Sequence, residues 1–195
     1  LAVGDESDGN TPLSHDELAD LIPSLATRED LNEFERENIL AARDWVVTTR
    51  TSPRDIVSDE FVRRLHFRMF DQTWKWAGQY RKTNKNIGVP FHEIAEKLAV
   101  LLGDVRFWID NATYPADEIA VRFHHRLVAI HPFPNGNGRH ARLIADALLI
   151  KLGRHVLTWG QSDLSKQCDA RARYLQALRA ADEHDYKLLL AFARS

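Results

Sequence analysis

Apolar side chains recur at three- and four-residue intervals through most of this chain, and short polar breaks divide the pattern into helices. Ser14-His15-Asp16-Glu17 has the Ser-x-x-Glu form of a capping box, and a short helix follows to about Leu21, stopped before Pro23. Thr27 opens a second helix to about Val47, on which Leu31, Phe34, Ile39, Ala42 and Val46 recur at helical spacing. After a break at 51–54, Ser58 caps a helix through Phe70 with Phe61, Leu65 and Met69 on one side. Residues 92–110 return to the helical period. Pro115 is expected at the first position of a helix that ends near His131, because Pro132 disfavours a helical residue before it.

The next helix runs from about Gly138 to Leu152, with Leu143, Ile144, Ala147 and Leu148 as its buried stripe and Gly153 just past its end. Residues 157–160 form a connector, and two helices over 164–181 and 183–193 close the chain. Residues 80–91 break the period. Asn84-Lys85-Asn86-Ile87-Gly88 is turn-rich with short flanks, so a small β-hairpin flap is expected there. The class is all-α, a helical bundle with that flap. The expected organisation is a disordered tail over 1–12 and one domain over 13–195. Within it, 13–50 supplies N-terminal helices and 55–195 the core.

Composition narrows the functional classes. At 195 residues, with 44% apolar and 28% charged residues, the chain suits one well-buried domain. A formal charge of −2 offers no basic field for nucleic acid. No apolar run approaches the ~20 residues of a membrane span. The acidic, Gly-rich beginning lacks the basic and apolar regions of a signal peptide. The lone Cys168, expected in a helical core position, excludes an intrachain disulfide framework and a cysteine zinc site. A cytoplasmic location is the expectation.

The chemistry gathers in residues 131–142, His-Pro-Phe-Pro-Asn-Gly-Asn-Gly-Arg-His-Ala-Arg. A Gly/Asn loop passing into a helix start is an anion site, since the first backbone N–H groups of a helix have no intrahelical partner. Gly136 and Gly138 let the backbone approach a ligand, and Asn137 offers an amide. Arg139 and Arg142, at i and i+3, project to one side of the helix and can grip successive phosphates. His131, at the rim, is a base of suitable ordinary pKa. Phe133 is the expected loop anchor. A hydroxyl attacking a bound phosphoryl group fits this set, with catalysis by positioning and charge stabilisation. His124, His125, His131 and His140 do not read as a metal site, because the first two are adjacent on a helix and point apart.

His131 through Arg142 resembles the signature of the Fic family, His-x-Phe-x-(Asp/Glu)-Gly-Asn-Gly-Arg-x-x-Arg, departing only at Asn135. Trp76-Ala77-Gly78-Gln79-Tyr80-Arg81 resembles the family's segment before its flap, and the resemblance covers roughly residues 55–190. The Asn-rich variant, with Phe-His-His upstream and Trp-Gly downstream, looks like the bacterial subfamily called mobile mystery protein B. The resemblance implies transfer of AMP, or another nucleoside monophosphate, from ATP or a related triphosphate to a hydroxyl of a target protein. His131 would be the base, Gly136, Asn137 and Gly138 would line the anion hole, and Arg139 and Arg142 would hold the β- and γ-phosphates. The flap at Lys85, Asn86, Ile87 and Gly88 would register the target by strand-like pairing.

At Asn135 the family carries the carboxylate that holds Mg²⁺ (or Mn²⁺), and an amide is a poorer ligand for a hard cation. Weaker metal binding, metal held by the phosphates alone, or a nucleotide-binding pseudoenzyme all stay open. So does a phosphotransferase on the same scaffold. Glu33-Phe34-Glu35-Arg36-Glu37-Asn38 is similar to the family's inhibitory motif, (Ser/Thr)-x-x-x-Glu-(Gly/Asn), which makes Glu37 the expected brake, paired with Arg142. A regulatory partner or a homodimer is compatible with this reading.

Overall fold

The computed structural model describes residues 13–24, 27–161 and 169–195; the expected tail and Cys168 lie outside them. The described elements are α1 (His15–Ala19), α2 (Arg28–Thr48), α3 (Pro53–Ile56), α4 (Asp59–Phe70), α5 (Ile94–Asp110), α6 (Ala116–Ile130), α7 (Asn137–Lys151), α8 (Asp169–Asp182) and α9 (Lys187–Ala193). Single 3₁₀ turns at Phe91–Glu93 and Trp159–Gln161 join them. No helix among the described residues is long and apolar enough to cross a membrane.

The caps follow from the sequence. Ser14, Thr27 and Ser52 each accept a backbone N–H in a reciprocal capping box with Glu17, Asp30 and Asp55. The last of these starts α3, a single turn with Pro53 at its first position, where a plain break was expected. Pro115 caps α6 rather than beginning it.

α6 and α7 are the centre of the molecule, because each is buried on two sides. One side packs with α2, α4 and α5 through Phe123, Leu127, Ile144 and Leu148, around Phe61, Leu65 and Leu98. The other side, through Val121, Ala145 and Leu149, meets Trp159 of the 3₁₀ turn and Tyr174 and Phe192 of the C-terminal helices. A helix apolar around most of its surface must be covered this way. The short loop 131–136 that joins the two helices is anchored in the first of these cores through Phe133.

The flap departs from expectation. Among the described residues no strand forms over 80–91, and the lone β-bridge is Leu21 with Trp74. The flap's backbone bonds go elsewhere: Arg81 N donates to Pro132 O at 2.9 Å, Val89 N to Ile130 O at 3.3 Å, and Phe91 N to Asn84 Oδ1 at 2.9 Å. A hairpin needs two facing runs, and here the groups that would make the ladder face the α6–α7 loop.

Candidate active site

His131 ends α6 in the left-handed conformation, at φ 55° and ψ 59°. A non-glycine residue held there is uncommon and persists only where its surroundings fix it. The fixing group is Arg81. Its Nε donates to His131 O at 2.7 Å, its Nη1 to Thr83 O at 2.8 Å, and its Nη2 to Val89 O and, at 3.5 Å, Ile130 O. One guanidinium thus ties both ends of the flap to the turn that carries the histidine. Gly88 closes over it: at φ +97°, an added Cβ would lie 2.6 Å from His131 Cβ. His131 is buried, and burial lowers its pKa to about 4 against a smaller opposing bond to the Val128 backbone. The imidazole is neutral at neutral pH, the form that can accept a proton.

The loop beyond it is built on Phe133, fully buried and stacked on His66 with ring centroids 3.7 Å apart. Burying such a side chain contributes about 2–3 kcal/mol. His66 fastens the turn at two points, donating through Nε2 to Asn135 O at 3.1 Å and accepting Gly78 N at Nδ1 at 3.0 Å. Burial, first, and His140 nearby hold its pKa well below the ordinary value. The Asn137 side-chain amide, expected to be offered to a ligand, turns inward instead. Its Oδ1 accepts Phe133 N at 2.9 Å and its Nδ2 donates to Phe133 O at 2.8 Å, so the amide closes the loop.

Gly136 precedes α7 at φ 77°, where an added Cβ would meet Phe70 Cζ at 2.5 Å. α7 begins at Asn137, so the N–H groups of Asn137, Gly138 and Arg139 form its first turn, the positive end of the helix dipole. A Cβ on Gly138 would have only Arg142 Nη1 within 4 Å, at 3.7 Å, so a ligand can approach that turn. The Arg142 guanidinium lies 5.6 Å from the Tyr174 ring centre.

The acidic partner of the arginines is not the one expected. Glu37 is exposed on α2. Glu35, 5% exposed, accepts Arg139 Nη1 at 2.6 Å through Oε2 and Trp74 Nε1 at 2.7 Å through Oε1. Residues two apart on a helix point about 200° apart, so only one of the two glutamates can face α7. The buried stripe decides which, since Glu35 is in register with Ala42 and Val46. Trp74, stacked on Trp76 at 5.0 Å, fixes the carboxylate from behind.

Of the expected flap residues, Lys85 forms a buried ion pair with Glu17 of α1, Asn86 is exposed, and Ile87 is half-buried. Trp76 Nε1 also donates to Glu17 O, at 3.2 Å, so α1 is fastened across the outside of the flap. Three other buried histidines serve packing. His124 Nε2 meets the Tyr174 hydroxyl at 2.9 Å, His125 bridges Asp182 and Tyr186, and His140 Nε2 donates to Val62 O at 2.9 Å.

Asn135 does not fit a divalent cation. Its Oδ1 accepts Gly136 N at 2.6 Å and faces Arg139 Nη2 at 3.5 Å. The one oxygen that could ligate Mg²⁺ or Mn²⁺ is already turned to donors, and a cation beside it would meet a guanidinium.

A cavity of about 720 Å³ opens beside the arginines, lined by one stripe of α2, by Arg139, Arg142 and Asp146 of α7, and by residues 157–159. Asp146 holds that connector, accepting Leu157 N at 3.1 Å and Trp159 Nε1 at 3.2 Å. Burial raises its pKa to about 6.

Sequence reasoning passed over four residues of this site: Arg81, His66, Trp74 and Glu35. The indoles carried the available signal, because a buried Trp N–H needs an acceptor and the acidic helix was the nearest source of one.

Residues 56–149 match the model of the Fic/DOC family. Over 120 residues the chain is 30% identical to the protein adenylyltransferase Fic of Drosophila grimshawi, covering 60% of this chain and 23% of that one. The corresponding protein of Aedes aegypti is 24% identical over 156 residues, 78% of this chain and 30% of that one. The chain thus spans less than a third of the length of these curated relatives. Among solved structures, residues 134–508 of Fic-1 from C. elegans superpose with a TM-score of 0.67 at 24% identity, over 91% of this chain and 51% of that one. BepC from Bartonella tribocorum, with bound AMPPNP, gives 0.65 at 18% identity, over 93% and 97%. The fold is that of these Fic proteins, and the stretch that matches the Fic/DOC family model contains the whole loop from His131 to Arg142.

Proposed function

We propose that this protein transfers AMP, or another nucleoside monophosphate, from a nucleoside triphosphate to a hydroxyl side chain of a target protein. The observation that carries this reading is a buried, neutral His131 held next to the open N-terminus of α7, with Arg139 and Arg142 on that same helix. The names of the adenylyltransferase relatives support the nucleotide and the reaction type.

The triphosphate lies along the first turn of α7. The N–H groups of Gly138 and its neighbours, and the Arg139 and Arg142 guanidiniums, stabilise charge on its oxygens. The target hydroxyl attacks the α-phosphorus. A new P–O bond forms, the bond to the β-phosphate oxygen breaks, pyrophosphate leaves, and the hydroxyl proton passes to His131. Arg81 and Gly88 position the imidazole and touch no substrate. The flap at 85–88 receives the target backbone as an added strand. Residues 13–50 are the regulatory segment and 55–195 the catalytic core. Glu35 is the brake, because its carboxylate occupies the guanidinium that a phosphate must share.

The test is labelling with ATP marked at the α- or the γ-phosphate, in a cell lysate, beside a His131→Ala control. His131-dependent α-label on a protein supports the reading, and γ-label identifies a phosphotransferase. A second reading is a nucleotide-binding module without transfer, favoured by the bonds that engage Asn135 Oδ1. Absence of any His131-dependent label selects it.

A further inference from the structure

The cavity beside α7 receives arginines from a second helix. Asn32, Arg36, Ile39, Leu40 and Arg43 fall at i, i+4, i+7, i+8 and i+11 of α2, and all line it. That spacing is one continuous helical stripe. Arg36 and Arg43 bracket the apolar pair and line the same cavity as Arg139 and Arg142. Four guanidiniums therefore line a space that holds two carboxylates, Glu33 and Asp146. Arg36 is engaged at present by Glu33 at 2.9 Å, with both side chains more than half exposed, a contact weak enough to yield to a phosphate. Glu35, one residue before Arg36, belongs to the buried stripe, so one helix can carry both the brake and the seat.

We propose that Arg36 and Arg43 join Arg139 and Arg142 in seating the distal phosphates of a nucleoside triphosphate, so that binding depends little on a divalent cation. This rests on the nucleotide-transfer reading above. Its second support is Asn135, whose oxygen faces Gly136 N and Arg139 where a cation would need it. Charge that a carboxylate-held cation would neutralise is met instead by guanidiniums, which bind phosphate oxygens in pairs. The ligand class is a triphosphate. AMP, which lacks the distal phosphates, does not reach the seat.

The test is calorimetric titration of the full chain with ATP, AMP and inorganic triphosphate, in Mg²⁺ and in EDTA. It is repeated on Arg36→Gln/Arg43→Gln, both exposed positions, with circular dichroism to confirm the fold. The expected result is an ATP Kd that changes less than threefold between Mg²⁺ and EDTA. In EDTA the double variant should weaken ATP and triphosphate at least tenfold and AMP less than twofold. A tenfold loss of ATP affinity in EDTA for the unmodified chain, or a double variant that binds as before, overturns the proposal. Triphosphate binding that depends on Arg36 and Arg43 without α-label transfer keeps the seat and sinks the transferase reading. Transfer with strictly Mg²⁺-dependent binding does the reverse, and no binding of any ligand removes both.

Discussion

Replacing Glu35 with Gln should tighten ATP binding about a hundredfold. The Glu35 carboxylate holds Arg139 Nη1 at 2.6 Å, and a phosphate oxygen taking the other edge of that fork would lie about 6 Å from it. At an effective dielectric near 20, two unit negative charges about 6 Å apart oppose one another by about 3 kcal/mol. Removing one charge returns that amount, and ~1.4 kcal/mol is a factor of ten in Kd. The same change weakens the fold. Glu35 is buried, but the Arg139 side chain is 29% exposed, so the loss is about 2 kcal/mol rather than the larger figure of a fully buried pair. For a chain of this size that lowers Tm by about 4–8 °C. Calorimetric titration with ATP and a thermal melt read both quantities. Glu37→Gln is the control, with less than a twofold change in Kd, since that side chain is exposed. A folded Glu35→Gln protein whose Kd stays within threefold of the original refutes the brake.

Burial sets the response to acid. His131 is held at about 4 and His140 at about 3, against ~6.5 in an unfolded chain. The folded state binds fewer protons than the unfolded, so stability is full above pH ~6.5 and falls as the pH drops through that window. His131 alone contributes about 3 kcal/mol between pH ~6.5 and ~4; Tm should fall steadily below pH 6.5, and a flat Tm down to pH 4.5 contradicts the burial argument. Arg81→Lys removes the fork that spans the carbonyls of Thr83, Val89, Ile130 and His131. It should cost about 2–3 kcal/mol, speed hydrogen exchange over 82–90 and abolish transfer while leaving the ATP Kd within threefold; unchanged exchange sinks the positioning role. Gly136→Ala places a Cβ 2.5 Å from Phe70 Cζ at φ +77°, and should destabilise the fold by about 2–3 kcal/mol in denaturant titration. A loss below ~0.5 kcal/mol would show that the loop can shift.

Much of the fold was legible because helical periodicity and caps are local. Ser14, Thr27 and Ser58 cap where the sequence places them, and the α6–α7 pair was visible from its apolar spacing and from Pro132. The flap was misread for a definable reason. Turn-rich residues between short apolar flanks predict a hairpin only if the flanks pair with each other. Here Arg81 and the carbonyls of 130–132 take those bonds, partners some 50 residues away in sequence. The site was legible as a motif because a loop entering a helix start is one short stretch. Its supports come from elements distant in sequence: His66 of α4 beneath Phe133, and Trp74 of the segment after α4 behind Glu35. The choice between Glu35 and Glu37 turned on which face of α2 is buried. A motif match set the one, and the register of Ala42 and Val46 the other.

The most direct measurement is a crystal structure of the Glu35→Gln protein with a non-hydrolysable ATP analogue. The account predicts the polyphosphate along the first turn of α7, its α-phosphorus turned toward His131 and its distal phosphates on Arg139 and Arg142. A nucleotide bound with its γ-phosphorus at His131, or bound away from α7, would contradict it.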